Sequence, residues 1–513
     1  MIALLPLDER PVNTRLPRDV AAIAGQELEL PPQAALPHQR EAGDTELLAQ
    51  WFLDAAGRSD WLGVCIDSLV FGGLIPARTS ADTLTEALSR LDLVDQAASA
   101  NPELAIDAVS LVMRASDSNS AGEEPLYWEQ YGRRLHTLGG ALQHVAETPD
   151  DPACAAALDE IERAVPEDVR TDFEHRRLRN HVVNLRAIDL LSQGALQTLL
   201  VTSDDTAPYA AGTLEQTWLQ HWGRALPHAG TLMFYPGADE VGSILVARAL
   251  HRRTGRPTRF AIASALETDM ARVPAFENAP LTTSVPRQIR AAGGETLDGP
   301  LGDPDIDGAD VLLVVHPAHP DRIDASRPAR GQAAEEAAKI AARATADLVE
   351  RMLGTGKPVA LADVRYTNGS DPVLVEELRR RGVLDTLLAY GGWNTAGNTL
   401  GSVVAAASAA IVGTRSGTFD EKAQRRLLLH RLVEDHLYQS GARETVREAA
   451  GLSYHGELFP DAESEQRAVA QAHSLLSDGL QGLDPAGAWR IDAVSFPWHR
   501  TFEIDIELVP AQG

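Results

Sequence analysis

Short apolar runs alternate with helical stretches along nearly the whole chain, and six of those runs lead into a carboxylate. Ile2–Leu7 runs into Asp8-Glu9-Arg10, Trp61–Ile66 into Asp67, and Ala108–Met113 into Arg114-Ala115-Ser116-Asp117. Thr198–Thr202 runs into Ser203-Asp204-Asp205, Thr231–Tyr235 into Pro236-Gly237-Ala238-Asp239-Glu240, and Val359–Ala362 into Asp363. Apolar runs separated by helices read as parallel strands of an α/β protein. The carboxyl ends of parallel strands share one edge, and ligands bind there. An Asp after a strand is also a common helix N-cap, so one such ending means little. Six from one chain point to a single acidic, polar site.

Strands are expected at 2–7, 27–30, 61–66, 105–113, 197–202, 230–235, 358–362 and 386–390, each followed by helical sequence. Pro17–Ala24 reads as a helix with proline at its first position, where the missing N–H costs nothing. Eight βα units is the count of a (β/α)8 barrel, and a barrel-like parallel sheet is the favoured fold. An open doubly wound sheet fits the same pattern, because periodicity does not say which strands pair. Residues 258–264 and 310–315 read as two further strands around a helix at 284–292 closed by Gly293-Gly294. They suggest an inserted βαβ subdomain at 255–325.

The barrel would then occupy 1–254, including a helical insertion at about 120–180, and 326–414. Leu135, Leu138, Leu142 and Val145 give that insertion a heptad-like spacing, and an Ala-rich helix over 330–353 brings the chain back to the barrel. Residues 415–513 would form a helical and β accessory region, with strands at 491–494 and 501–508.

The net charge of −27 argues against nucleic acid or an anionic membrane as partner, since both want basic patches. A small-molecule or oligosaccharide substrate is expected instead, and the oligomeric state is left open. Two cysteines, Cys65 and Cys154, make neither a disulfide framework nor a metal motif. No apolar stretch reads as a transmembrane helix, and the amino terminus reads as a strand rather than a signal peptide, so a cytoplasmic location is expected. No H-E-x-x-H and no G-x-S-x-G occurs. His316-Pro317-Ala318-His319 reads as structural rather than metal-binding.

Asp204-Asp205 is the sharpest candidate. Two adjacent carboxylates in a dry site do not both ionise cheaply, which sets a neutral acid beside an ionised partner. Cleavage of a glycosidic bond uses such a pair. Strand geometry points neighbours to opposite faces, so the pair works together only if the chain turns there. Asp239-Glu240 follows a Pro-Gly turn and supplies a second acidic pair, either as further catalytic groups or as ligands for a hard cation. Asp8, Glu9, Arg10, Asn13, Asp67, Asp117 and Asp363 are candidates for holding substrate. So are Trp393, Asn394 and Asn398 in the Gly-rich loop Tyr390–Gly401, where Trp393 offers a ring to stack on a sugar. That loop matches neither the P-loop nor the dinucleotide fingerprint.

Leu5–Asn13, Asp67–Ile75, Ser203–Thr206 and Gly392–Gly401, joined by the closing Phe496–Glu503, together resemble the bacterial domain-of-unknown-function family numbered 4127. The resemblance spans roughly residues 1–505 and implies no particular activity.

The residues themselves favour a hydrolase acting on a carbohydrate by carboxylate acid/base catalysis, with Asp204, Asp205, Asp239 and Glu240 as its catalytic groups. It requires no cofactor. One alternative is a divalent-metal-dependent hydrolase or sugar isomerase with Mg²⁺ or Mn²⁺ on the same acids. The other is a non-catalytic carbohydrate-binding or sensing protein.

Overall fold

Residues 1–226, 231–325, 331–452 and 457–511 are described by the computed structural model. Six parallel strands make the first sheet: β1 (Ile2–Leu5), β2 (Leu28–Glu29), β3 (Trp61–Cys65), β4 (Ala105–Val112), β5 (Thr198–Ser203) and β6 (Leu232–Pro236). β1, β3, β4 and β5 are buried along their whole length, which is why they read as continuous apolar runs rather than alternating ones. Leu5, Val64, Ala108 and Val201 belong to one core with Trp51, Phe52 and Leu191 from the helices Thr45–Arg58 and Glu167–Ser192.

A second sheet holds β7 (Arg259–Ala263), β8 (Glu295–Leu297), β9 (Val311–His316), β10 (Val359–Asp363) and β11 (Ala389–Gly391), again all parallel. β12 (Trp489–Ser495) and β13 (Asp505–Pro510) form an antiparallel pair.

The strand orders are β2-β1-β3-β4-β5-β6 and β11-β10-β9-β7-β8. In each sheet the second strand lies outside the first, and the chain then crosses back to continue on the first strand's other side. Such a reversal opens a crevice outside the carboxyl ends of the two diverging strands, the usual ligand position in open α/β sheets. The first sheet has this point between β1 and β3, the second between β7 and β9.

The barrel expectation is therefore corrected: among the described residues there are two open sheets and no closed barrel. A barrel needs a continuous ring of pairings, and the reversal in each sheet leaves two free edges. The strands assigned to an inserted βαβ subdomain are β7 and β9, and β9 pairs with both β7 and β10. The strands counted seventh and eighth, β10 and β11, complete this second sheet. The count of eight thus joined six strands of one sheet to two of another.

The chain divides into two compact units. The first holds Met1–Thr14, Glu27–Ala249 and Phe276–Ala279, and the second Arg15–Gln26, Leu250–Ala275 and Pro280–Gly513.

Some helix limits also differ from expectation. The first helix is Pro11–Ile23, so Pro11 opens it and Pro17 lies inside it. The expected helical insertion contains Trp128–Glu147, Pro152–Arg163 and the start of Glu167–Ser192, with a small core of Trp128, Leu135, Leu138, Val169 and Phe173. Residues 230 and 330, expected to open a strand and a helix, lie outside the described residues. Ala396–Ser416 is long and apolar enough to cross a membrane, but 89% of its apolar window is buried within the protein.

The segment Leu432–Ala442 is a π-helix. Such helices are rare beyond a single turn and cluster at functional sites. Its side chains fasten three loops of the second unit. Asp435 accepts from Gly392 N (2.8 Å), and Ser440 donates to Ser370 O (2.8 Å). Tyr438 donates to Thr501 O (2.6 Å) and Gln439 to Phe502 O (2.7 Å).

Candidate active site at the carboxyl edge of the first sheet

Each strand of the first sheet that borders its reversal ends in a buried acid. After β1 the chain turns at once into Asp8 and Arg10, which are 1% and 3% exposed. The Arg10 guanidinium holds Asp8 in a fork, with Nε to Oδ2 at 3.0 Å and Nη2 to Oδ2 at 2.7 Å. Asn13 Nδ2 adds a bond of 2.8 Å to Asp8 Oδ1. Arg10 Nη2 also reaches Asp239 Oδ1 at 2.6 Å. Asp239 follows β6, four strand positions from β1, or about 19 Å across a flat sheet. The contact therefore shows that twist, coil and loop reach draw the strand ends of this unit together.

Asp67 follows β3 and accepts from Leu111 N of β4 at 3.0 Å. Burial is the main force pushing its carboxyl up to about 6, opposed by that hydrogen bond. A raised carboxyl has a definite sign in stability. The native state holds the proton more tightly than the unfolded chain, so stability falls as pH rises from about 4 through about 6. Asp67→Asn removes this term. Its stability relative to the parent is expected to improve between pH 4.5 and 7.5, read from urea midpoints at both values. A difference that stays constant with pH would count against the assignment.

The Asp204-Asp205 pair lies where β5 ends. Asp205 has φ of +31°, so the strand does turn there, as joint action of the pair requires. Asp204 pairs with Arg78, and Asp205 Oδ2 accepts from Arg114 Nη1 at 2.6 Å. The same two guanidinium groups hold Glu123 and Glu124. Arg114 Nη2 lies 2.8 Å from Glu123 and its Nε 2.7 Å from Glu124, while Arg78 Nη1 lies 3.2 and 3.5 Å from them. Two cations thus face four carboxylates. Burial, followed by the Asp204 charge, raises the Asp205 carboxyl to about 6 against the pull of Arg114 and Arg78. Asp205 keeps 28% of its side chain exposed, against 12% for Asp204.

Glu240 is fully buried beside Asp239. Its carboxylate folds back onto Gly237, whose φ is +148° and where any β-carbon would strike Glu240. Asn13 Oδ1, Ser68 Oγ, Thr202 Oγ1, Tyr235 Oη and Ser243 Oγ are buried and have no hydrogen-bond partner among the described residues. All five residues lie at or just beyond the carboxyl ends of β1, β3, β5 and β6. Buried polar groups are normally satisfied, so this concentration fits an edge shaped for a hydrogen-bonding ligand. Glu9 accepts from Gln39 N at 3.0 Å. Asp117 is exposed in the turn after β4.

The other sequence candidates lie in the second unit. Asp363 ends β10, accepts from Asp371 N (2.6 Å) and Tyr390 Oη (3.4 Å), and is raised to about 6 chiefly by burial. Asp371 in turn bonds the buried His316 ring at 3.1 Å. Trp393 is 4% exposed, with its ring centroid 6.1 Å from that of Phe502. Asn394 has φ of +65°, and Asn398 is buried in the first turn of the helix capped by Thr395.

A family model described as protein of unknown function (DUF4127) matches residues 2–507. The chain belongs to this family. Neither a curated protein nor a solved structure matches it. Two segments that carried the resemblance to DUF4127, Gly392–Gly401 and Phe496–Glu503, meet through the Trp393–Phe502 ring contact. The segments around Asp8, Asp67 and Asp204 line the carboxyl edge of the first sheet.

Sequence reasoning named Arg10 in this DUF4127 protein but missed Arg78 and Arg114, the cations that hold Asp204 and Asp205. Arg78 sits in a short helix with no strand-end signature. Arg114 follows β4 as the acids follow their strands, and that position was the available signal. Arg177 was also missed. It holds the backbone that carries Arg114, donating to Met113 O (2.8 Å) and Arg114 O (3.0 Å) while paired to Glu215.

Proposed function

We propose that this protein is a hydrolase that cleaves a glycosidic bond by carboxylate acid/base catalysis at the carboxyl edge of the first sheet. The observation that carries the reading is the Asp204-Asp205 turn. One acid there is ion-paired to Arg78, and its neighbour is raised to about 6. Asp205 then acts as general acid near neutral pH, with Asp204 as the ionised partner and Asp239 or Glu240 assisting. Asp8, Arg10 and Asp67 hold the substrate together with the unpartnered hydroxyl and amide groups. Such groups suit a polyhydroxylated ligand, each of whose hydroxyls both donates and accepts.

A second reading has one observation in its favour. Both acids already hold guanidinium partners, as they would in a carbohydrate-binding protein that does no chemistry. The metal-dependent alternative has less support. Among the described residues no group of three or more His, Cys, Asp or Glu side chains is placed to hold an ion.

A screen of aryl glycosides, N-acetylhexosaminides included, with and without a chelator separates the three. Turnover that survives chelation is expected and supports the hydrolase. Turnover restored only by Mg²⁺ or Mn²⁺ supports the metal enzyme. Micromolar sugar binding with no turnover of any glycoside would leave the binding protein.

A further inference from the structure

The second sheet has its own reversal, between β7 and β9, and the glycosidase reading leaves it unused. Arg365, two residues beyond β10, reaches across that point. Its Nη1 lies 3.3 Å from Pro317 O, just after β9, and 3.4 Å from Asp269 Oδ2, in the short helix Glu267–Ala271 after β7. Arg365 is 5% exposed, and its Nε has no hydrogen-bond partner among the described residues. The contrast with Arg10 is plain, since Arg10 is buried in a full set of short bonds. Burying a cation is costly unless it is well paired, and Arg365 is held by two long bonds and the neighbouring Tyr366 hydroxyl.

Other groups at the same place share this character. The His319 backbone N donates to Arg365 O at 2.8 Å, and its ring stacks on Tyr366 with centroids 6.0 Å apart. Burial, then the Arg365 charge, lowers the His319 imidazole, with Arg272 adding to the effect and Asp321 and Asp269 opposing it. Arg272 pairs with the same Asp269 at 3.0 Å, so two guanidinium groups share one carboxylate. Asp321, 3.8 Å from His319, is 78% exposed and well solvated. Two guanidinium groups, Arg365 and Arg272, lie here with the carboxylates Asp269 and Asp321, while Asp363 and Asp371 act on Tyr366.

We infer that Arg365, Arg272, His319 and Tyr366 form an anion-binding site at the reversal of the second sheet, which takes the carboxylate or phosphate group of a small ligand. Arg365 supplies the buried charge, Arg272 a second donor from the rim, and the Tyr366 hydroxyl a neutral one. This site does not depend on the hydrolase reading.

The test titrates the full-length protein with inorganic phosphate and, separately, with succinate, at ionic strength held constant with NaCl. Melting temperature and heat of binding are followed together. A saturable rise in melting temperature with either anion is expected, because a ligand that binds only the native state stabilises it. Phosphate alone would identify a phosphate ester as the ligand class, and succinate a carboxylate. Arg365→Gln should weaken the binding by at least about tenfold, the scale of one lost charge-assisted hydrogen bond. No saturable response to either anion beyond the NaCl control would overturn the proposal, as would unchanged affinity in Arg365→Gln. Should that variant fail to fold, Arg272→Gln carries the test, since its side chain is 43% exposed. Weaker binding in it supports the site, and unchanged affinity overturns it.

Discussion

Arg10→Met should lower the stability of the first unit by about 3–5 kcal/mol, the usual cost of removing one partner from a buried ion pair. The substitution keeps most of the side-chain volume. It leaves Asp8 and Asp239 buried, at 1% and 5% exposure, without their shared cation. Asn13 and the backbone N of residue 10 still donate to Asp8, while Asp239 loses the cation 2.6 Å from its Oδ1. A second change, Asp239→Asn, should therefore restore part of the stability in the double variant. Urea denaturation of the full-length protein measures both effects. A loss under about 1 kcal/mol would mean that water reaches the pair and that it behaves as a surface ion pair.

The second large effect is catalytic. Asp204→Asn and Asp205→Asn should each reduce turnover of a responsive glycoside by about 10²–10⁴-fold, the usual contribution of a general acid or base. The substitutions are nearly isosteric. They keep a hydrogen-bond acceptor for Arg78 or Arg114 and remove the ionisable group. Asp205→Asn should also remove the limb of the pH–rate profile that falls above about 6, because that limb reports loss of the Asp205 proton. Full activity in both variants would make the pair a structural clamp for two arginines and move the chemistry elsewhere.

The sequence disclosed the strands better than their arrangement. Most of the expected strands match an observed one within a few residues, because fully buried parallel strands leave uninterrupted apolar runs. The three-residue β8 left no such run and was missed. Pairing was hidden for a different reason. A parallel strand meets either neighbour through the same kind of backbone hydrogen-bonding edge, so nothing local at residues 311–316 says that β9 joins β10 as well as β7.

The acids after β1, β3, β5 and β6 were legible from position alone. Arg10, the shared partner of Asp8 and Asp239, was legible beside them, whereas Arg78 comes from a helix turn and Glu123-Glu124 from a loop, with no periodic signal. The single cleft expected from six strand ends rested on one sheet. The structure assigns Asp363 and the Trp393 loop to the second sheet, in the other unit.

The π-helix at Leu432–Ala442 has a consequence for how this chain tolerates change. Tyr438, Gln439 and Ser440 are consecutive, yet each fastens a loop backbone, at residues 501, 502 and 370. The wider coil makes that possible, since it closes its hydrogen bonds five residues apart rather than four. Deleting one residue would let the segment tighten into an ordinary α-helix and turn everything beyond it by about 100°. All three fastenings would be lost in one step. Point substitutions here remove one anchor at a time, whereas an insertion or deletion removes them together. The segment is therefore constrained in length more strictly than in composition, and natural variation should enter it through exchanged side chains rather than through gaps.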